Sequence, residues 1–422
     1  MYKRILLIFI IFSSLLIQPA ILTADVSESD VLFLDKVEHD IFKFFINESN
    51  TQNGLIKDSS RPGAPCSVAS CGFGLTALCI GVERGWISEE EAYKRALKMM
   101  VTFRDKVPHE HGYFYHFIDM RNCKRVWNCE VSSIDTALFF AGALFAGEYF
   151  KGTQVEQIAN KLYERVEWTW LARNGLISMG YKPETGIFPY YWNSYNEAMI
   201  LYALAIGSPT HPLPPSSWQA WKRPIAKYGE YELVYCSTGS LFVYQYSHCW
   251  IDFRELDDNG INWFENSIKA TEANRQFCIN NQEKYKTYGT DIWGLTASTG
   301  PRGYKGYGAK PGHPVHDGTI CPYGALGSIV FTPELSISSM RYLYDNHKAR
   351  IYKSYGFVDA FNIDKNWYSN ECIGISMGSG IIMIENYRSG MVWKVFSRNQ
   401  YLRRWLKLCF DMNSKKNKKQ LI

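Results

Sequence analysis

Glu197 stands in Tyr195-Asn196-Glu197-Ala198-Met199, at the start of an apolar run and just after Tyr190, Tyr191 and Trp192. A carboxyl beside aromatic rings is partly desolvated, which raises its pKa and suits it to protonate a leaving oxygen. An ordinary first-turn glutamate, favoured by the helix dipole, would look the same in sequence. A second pair of acids, Glu130 and Asp135, brackets the start of another apolar run, Val131-Ser132-Ser133-Ile134-Asp135-Thr136-Ala137-Leu138. Helix capping by Ser132 or Ser133 would account for either acid, although Asp135 stands against small and apolar neighbours. A fourth acid, Asp317 in His316-Asp317-Gly318-Thr319, follows a loop rich in Gly, Pro and Tyr, and Asp-Gly is also what a plain turn requires.

The segment Tyr246-Ser247-His248-Cys249-Trp250-Ile251-Asp252-Phe253-Arg254 alternates ionisable groups with rings and reads as extended. A carbohydrate would use both, since sugar faces stack on rings and sugar hydroxyls bond charged groups. His248, Asp252 and Arg254 are therefore candidate sugar-binding residues, with Trp192, Trp293 and Tyr304 as ring platforms. The competing readings are a core strand carrying an internal ion pair and ordinary ring packing. No nucleophile elbow or phosphate loop is present, and no His/Cys/Asp cluster has ligand spacing, so neither metal nor cofactor is expected.

Helices must carry these residues. Asp30 to Phe45, Ala92 to Phe103 behind the Ser88–Glu91 capping box, Thr153 to Trp170 and Ile261 to Asn280 are amphipathic. Ser133 to Phe150 and Asn196 to Ile206 are apolar nearly all round, and Pro333 to Asn346 and Ile373 to Tyr387 add two more helices. Alternation of the two kinds suits two concentric layers, the inner helices buried on most sides. Long loops, Val107 to Glu130, Gly175 to Trp192 and Tyr285 to Tyr323, lie between them, and loops of that length are usually functional. No linker interrupts the pattern, so residues 25–410 read as one domain.

Composition narrows the class. Hydrophobic residues make up 46% and charged residues 21%, as in a globular chain; most of the rings in the 15% aromatic content must pack a large core, and the remainder is enough to line a sugar cleft. Lys3, Arg4, Lys415, Lys416, Lys418 and Lys419 account for the net charge of +5, and removing these six leaves about −1. A body without excess positive charge offers no face to nucleic acid. Lys3-Arg4 followed by the apolar run Ile5–Leu16 and small residues to Ala24 describes a secretory signal peptide over 1–24, with a basic tail at 411–422. The mature protein is expected to be secreted or periplasmic, with no stable membrane insertion. Of the 11 cysteines, Cys66 and Cys71, and Cys123 and Cys129, are close enough in sequence to close small loops.

Several segments together resemble the bacterial glycoamylase-like domain, known from endo-β-1,2-glucanases of glycoside hydrolase family 144. They are Glu130 to Leu138, Tyr195 to Thr210, Tyr246 to Arg254, Trp293 to Ser298, Asp317 to Glu334 and Ile384 to Trp393. The resemblance implies an all-α (α/α)6 toroid with long loops and short β-hairpins around a cleft. It also implies an inverting, metal-free glycosidase in which Glu197 is the general acid or a central acidic residue of the site, with Glu130, Asp135 and Asp317 as further acids lining it. The base is not assigned among these. Trp192, His248, Asp252 and Arg254 would bind sugar. The expected function is cleavage of a β-glucan, foremost β-1,2-glucan or its oligosaccharides; the alternatives are a catalytically reduced glycan-binding protein on the same scaffold and a transglycosylase. One departure bears on this: where the pattern leads one to expect Asp-Gln-Gly-Pro ahead of the Ile384–Arg388 segment, the chain has Ser376-Met377-Gly378-Ser379. If an acid there helps activate water, specificity or rate is altered.

Overall fold

The computed structural model describes residues 27–410; the expected signal peptide and basic tail lie outside them. Six helices lie at the centre: α2 (Val68–Glu83), α4 (Ser133–Tyr149), α6 (Met199–Gly207), α8 (Leu241–Trp250), α10 (Pro322–Leu326) and α12 (Gly374–Arg388). Each of α2, α4, α6 and α8 packs on the next, α12 packs on α8, α10 and α2, and Gln245 of α8 bonds the Gly324 carbonyl of α10 at 2.9 Å. A second set lies outside them: α1 (Glu28–Asn47) on α2 and α12, α3 (Glu89–Asp105) on α2, α5 (Gln154–Glu164) on α4, α9 (Trp263–Asn280) on α8, α11 (Pro333–Ile351) on α10 and α14 (Gln400–Cys409) on α6. The short α7 (Ser217–Ala220) touches α6, and α13 (Met391–Phe396) packs on α4, α8 and α12. Strands are two to four residues long and pair antiparallel in the connecting loops, mostly as hairpins, with Cys66–Ser67 on Phe117–Ile118 and Val131–Ser132 on Gly180–Lys182 as longer-range pairs.

The sequence pattern explains the layering. All nine residues of α6 and nearly all of α4 are buried, as apolar runs without a wet face must be. Helix α5 instead buries Val155, Ile158, Ala159, Leu162 and Tyr163 on one stripe. Helix α3 starts where expected, with the Ser88 hydroxyl accepting from the Glu91 N–H at 3.2 Å. Where α2 and α4 cross, a Cβ on Gly72 would come within 2.2 Å of the Leu138 carbonyl, and one on Gly142 within 1.8 Å of the Gly72 carbonyl. Only glycine lets the two backbones meet so closely.

Two expectations are corrected. The Tyr246–Trp250 part of the aromatic segment is helical, within α8, and not extended: nearly all its residues are buried, so no period of either kind marks it. Helix α5 stops at Glu164 rather than running to Trp170, because the chain turns there to bury Trp168, and the Glu167 N–H donates to the His111 carbonyl.

The C-terminal ends of the inner helices meet. Arg84, capping α2, reaches Glu385 of α12 at 2.7 Å, and Asn386 of α12 donates to the Cys249 carbonyl of α8 at 2.9 Å. Arg388 and Arg84 also hold the buried Glu38 of α1. The N-terminal ends of these helices therefore gather at the opposite end, where helix dipoles favour negative charge. All 11 cysteines are thiols, with the Cys66 and Cys71 sulfurs 3.4 Å apart.

Candidate active site

Helix α4 opens with a serine–aspartate clasp. Ser132 Oγ accepts from the Asp135 N–H at 3.2 Å and donates to the Asp135 carboxylate at 2.5 Å. Capping and acid placement are thus one arrangement. The loop between α3 and α4 then brings His116 across the acids: Nδ1 lies 2.9 Å from Glu130 Oε1 and Nε2 lies 3.5 Å from Asp135 Oδ1. Burial alone would lower the His116 pKa, but Asp135, Glu130 and Asp58 outweigh it and push it up to about 9. His116 is therefore an imidazolium at neutral pH, and Glu130 is held below the usual carboxylate range, first by its bond to His116.

Glu197 lies in the turn two residues before α6. Its carbonyl accepts from Ser247 Oγ at 2.9 Å, and that same oxygen accepts from the Ile200 N–H, so α8 fixes the start of α6. The side chain keeps some solvent access although protein surrounds it on most sides. Burial, reinforced by the Asp135 charge, pushes its pKa up to about 7. A carboxyl with these properties can give up a proton near neutrality.

Two further carboxylic acids, Asp58 and Asp359, belong to this end, with Glu371 acting on both. Asp58 is raised to about 6, mainly by burial, with His116 opposing and Asp135 and Glu371 adding to the rise. Asp359 is buried and raised to about 7. Tyr304 ties the set together: its ring is 61% exposed, yet its phenol is raised by burial and then by Asp359, Cys321, Asp58 and Glu197. Sequence reasoning missed His116, Asp58, Asp359 and Glu371. Asp58 reads as an exposed turn, whereas Asp359 is a lone acid in the apolar run Phe357-Val358-Asp359-Ala360-Phe361, a signal that could have found it.

The structure thus brings together Glu130, Asp135, Glu197 and Tyr304. It leaves other expected site residues elsewhere. Asp317 pairs with Lys365 at 2.8 Å and accepts from Thr319 Oγ1 at 2.6 Å, as the turn reading would have it. Trp192 is buried behind α4, its N–H donating to Ser133 Oγ at 2.9 Å, and Trp293 is wholly buried. His248 is a core residue among Phe253, Phe264 and Phe331; burial lowers its pKa to about 3, so it stays neutral. Asp252 and Arg254 pair at 2.7 Å beyond the C-terminus of α8, and Arg254 lies over Trp393. The Glu197 carbonyl meets Ser247 in the last turn of α8, but the neighbouring His248 turns its ring into the core, and Asp252 and Arg254 bond each other rather than the acids.

Surface recesses of about 180, 310 and 510 Å3 lie elsewhere and include none of these site acids. Among the described residues no group of three or more His, Cys, Asp or Glu is arranged to hold a metal ion. No helix among them is long and apolar enough to cross a membrane.

Comparison with known proteins agrees with this architecture. Residues 189–400 match the Glycoamylase family, described as "Putative glucoamylase". A crystal structure from Bacteroides uniformis under that description is 30% identical, with a TM-score of 0.84 over 92% of this chain and 98% of the other. The endo-β-1,2-glucanase of Chitinophaga pinensis, solved with sophorotriose and glucose, is 28% identical, with a TM-score of 0.84 over 91% of this chain and 99% of the other. A curated relative, the exo β-1,2-glucooligosaccharide sophorohydrolase of Parabacteroides distasonis, is 32% identical over 87% of this chain. The chain spans 56% of the length of that relative. On this match in sequence and in fold, the chain belongs to the Glycoamylase family.

Proposed function

We propose that this protein is an exported glycoside hydrolase that cleaves β-1,2-glucan or its oligosaccharides with inversion, on an (α/α)6 toroid formed by the two helical layers. The observation that carries the reading is Glu197: a carboxyl raised to about 7 by burial and by the charge of Asp135, itself part of the Asp135–His116–Glu130 cluster. In an inverting glycosidase one carboxylic acid protonates the glycosidic oxygen while a second group activates water on the other face of the sugar. Glu197 takes the first role. Asp135 is held by its clasp with Ser132, and the His116 charge offsets the Glu130 and Asp135 charges so that three acids can share one end. The exposed ring of Tyr304 offers a stacking face beside them. The β-1,2 linkage is supported by the activities of the Chitinophaga and Parabacteroides relatives, and export by the Lys3–Ala24 pattern.

A second reading, a glycan binder with reduced catalysis, is favoured by one observation: a serine, Ser376, where an acid is expected. Incubation with linear β-1,2-, β-1,3-, β-1,4- and α-1,4-glucans, with binding measured in parallel and products separated by chromatography, decides between them. Shorter products from β-1,2-glucan alone are expected; longer products would indicate transglycosylation, and tight binding without cleavage would favour the binder.

A further inference from the structure

Asp359 lies in the loop between the strands Gly356–Phe357 and Phe361–Asn362 and is wholly buried. Its Oδ2 accepts from the Thr299 N–H at 2.7 Å, and its Oδ1 accepts from Ser376 Oγ at 3.4 Å. Among the described residues no Lys, Arg or His forms an ion pair with it. The titratable groups around it are Glu371 and Cys372 from the loop before α12, Tyr304 from its hairpin, and Cys321 and Tyr323 from the start of α10. None is a cation, and Arg61 pairs with Glu371 instead, at 3.9 Å. A buried carboxyl without a cation is unfavourable. An asparagine would satisfy both Thr299 and Ser376 at no such cost, so packing alone does not explain an acid here.

Ser376, in the first turn of α12, keeps 8% of its surface exposed where Asp359 has none. It is therefore the group through which Asp359 meets water. The pair also borders the acids of the site, because the Gly374 N–H that opens α12 donates to the Asp58 carbonyl at 2.7 Å, two residues before Ser376.

We propose that Ser376 and Asp359 form the water-activating arm of the site, Ser376 Oγ taking a proton from the attacking water while passing its own to Asp359 Oδ1. The inference rests on the hydrolase reading above. As the water oxygen bonds to the anomeric carbon, the glycosidic C–O bond breaks and its electron pair goes to the leaving oxygen, which takes the Glu197 proton. Asp359 ends neutral and Glu197 ionised, and exchange with solvent resets both. A carboxyl raised to about 7 is basic enough to hold the proton and still ionised in part at neutral pH.

Ser376→Ala, Asp359→Asn and the double variant test the arm, on whichever glucan the wild type cleaves. Each single variant should lower kcat about 100-fold or more while KM stays within about threefold. The double variant should be no slower than the slower single one, because the two act in series. The limb of the kcat–pH profile that rises towards pH 7 should vanish from the residual rate of Asp359→Asn; a merely structural loss would lower the whole profile without removing it. If Asp359→Asn fails to fold, Ser376→Ala decides alone. Near-normal turnover by Ser376→Ala in a folded protein overturns the arm and leaves the hydrolase reading standing. A wild type that cleaves no glucan overturns the hydrolase reading and the arm with it.

Discussion

His116 Nε2 lies 3.5 Å from Asp135 Oδ1, and that contact sets the charge state of the site. An imidazolium held there, bonded on its other side to Glu130, keeps that carboxyl below the usual carboxylate range. Asp135 in turn helps keep a proton on Glu197.

Replacing Glu197 by Gln keeps the shape and removes the proton. Glucan hydrolysis should fall at least about 100-fold, the scale of a lost general acid, in a protein that is still folded and no less stable than the wild type. In the wild type, Glu197 must be protonated, so kcat/KM should decline as pH rises through about 7. A rate that stayed flat from pH 6 to 9 would contradict that assignment.

His116→Gln tests the counter-charge. The folded pKa of about 9 exceeds the ordinary value of 6.5, so the interaction stabilises the fold fully below about pH 6.5 and is lost as pH rises through about 9. The variant should be less stable by on the order of 2–3 kcal/mol at pH 6, with the gap closing above pH 9. Urea melts at the two pH values measure it, and an equal gap at both would refute the charge account.

Asp359 has the opposite sign. Its folded pKa, about 7 against an ordinary 3.8, means that ionisation costs stability as pH climbs from about 4 to 7. Asp359→Asn should therefore be more stable than the wild type at pH 8, by on the order of 2–4 kcal/mol, and no more stable at pH 4. Equal stability at pH 8 would mean that the carboxyl is satisfied in its ionised form.

The contact of α2 with α4 depends on Gly72. A Cβ there would come within 2.2 Å of the Leu138 carbonyl, backbone that cannot swing aside. Gly72→Ala should cost about 1–3 kcal/mol or more, read as a lower urea midpoint. An unchanged midpoint would show that the two helices separate easily.

The outer helices were legible because each has one wet face, as in the Val155–Ile158–Leu162 stripe of α5. Inner helices α4 and α6 were legible as unbroken apolar runs, but α2 and α8 were not. Helix α2 carries Gly72, Gly74 and Gly81, which argue against a helix locally and are explained only by what α4, Ile56 and Phe42 press against them. In α8 the polar Gln245, Ser247 and His248 are satisfied by neighbours far away in sequence. The same nonlocality hid half the site. Glu197 and Asp135 announce themselves by opening apolar runs, whereas Asp58, His116 and Asp359 join them only once the loops before α2, α4 and α12 are brought to one end. Conversely, His248, Asp252 and Arg254 have the composition of a sugar site, but His248 turns into the core and Asp252 and Arg254 pair with each other.

The most direct test of a hydrolase that works by inversion through Glu197 is proton NMR of the products during the first minutes of β-1,2-glucan cleavage. The wild type should release the α-anomer first, with β appearing only by mutarotation, while Glu197→Gln gives no signal on the same timescale. Initial release of the β-anomer, or equal rates from the two proteins, would contradict the account.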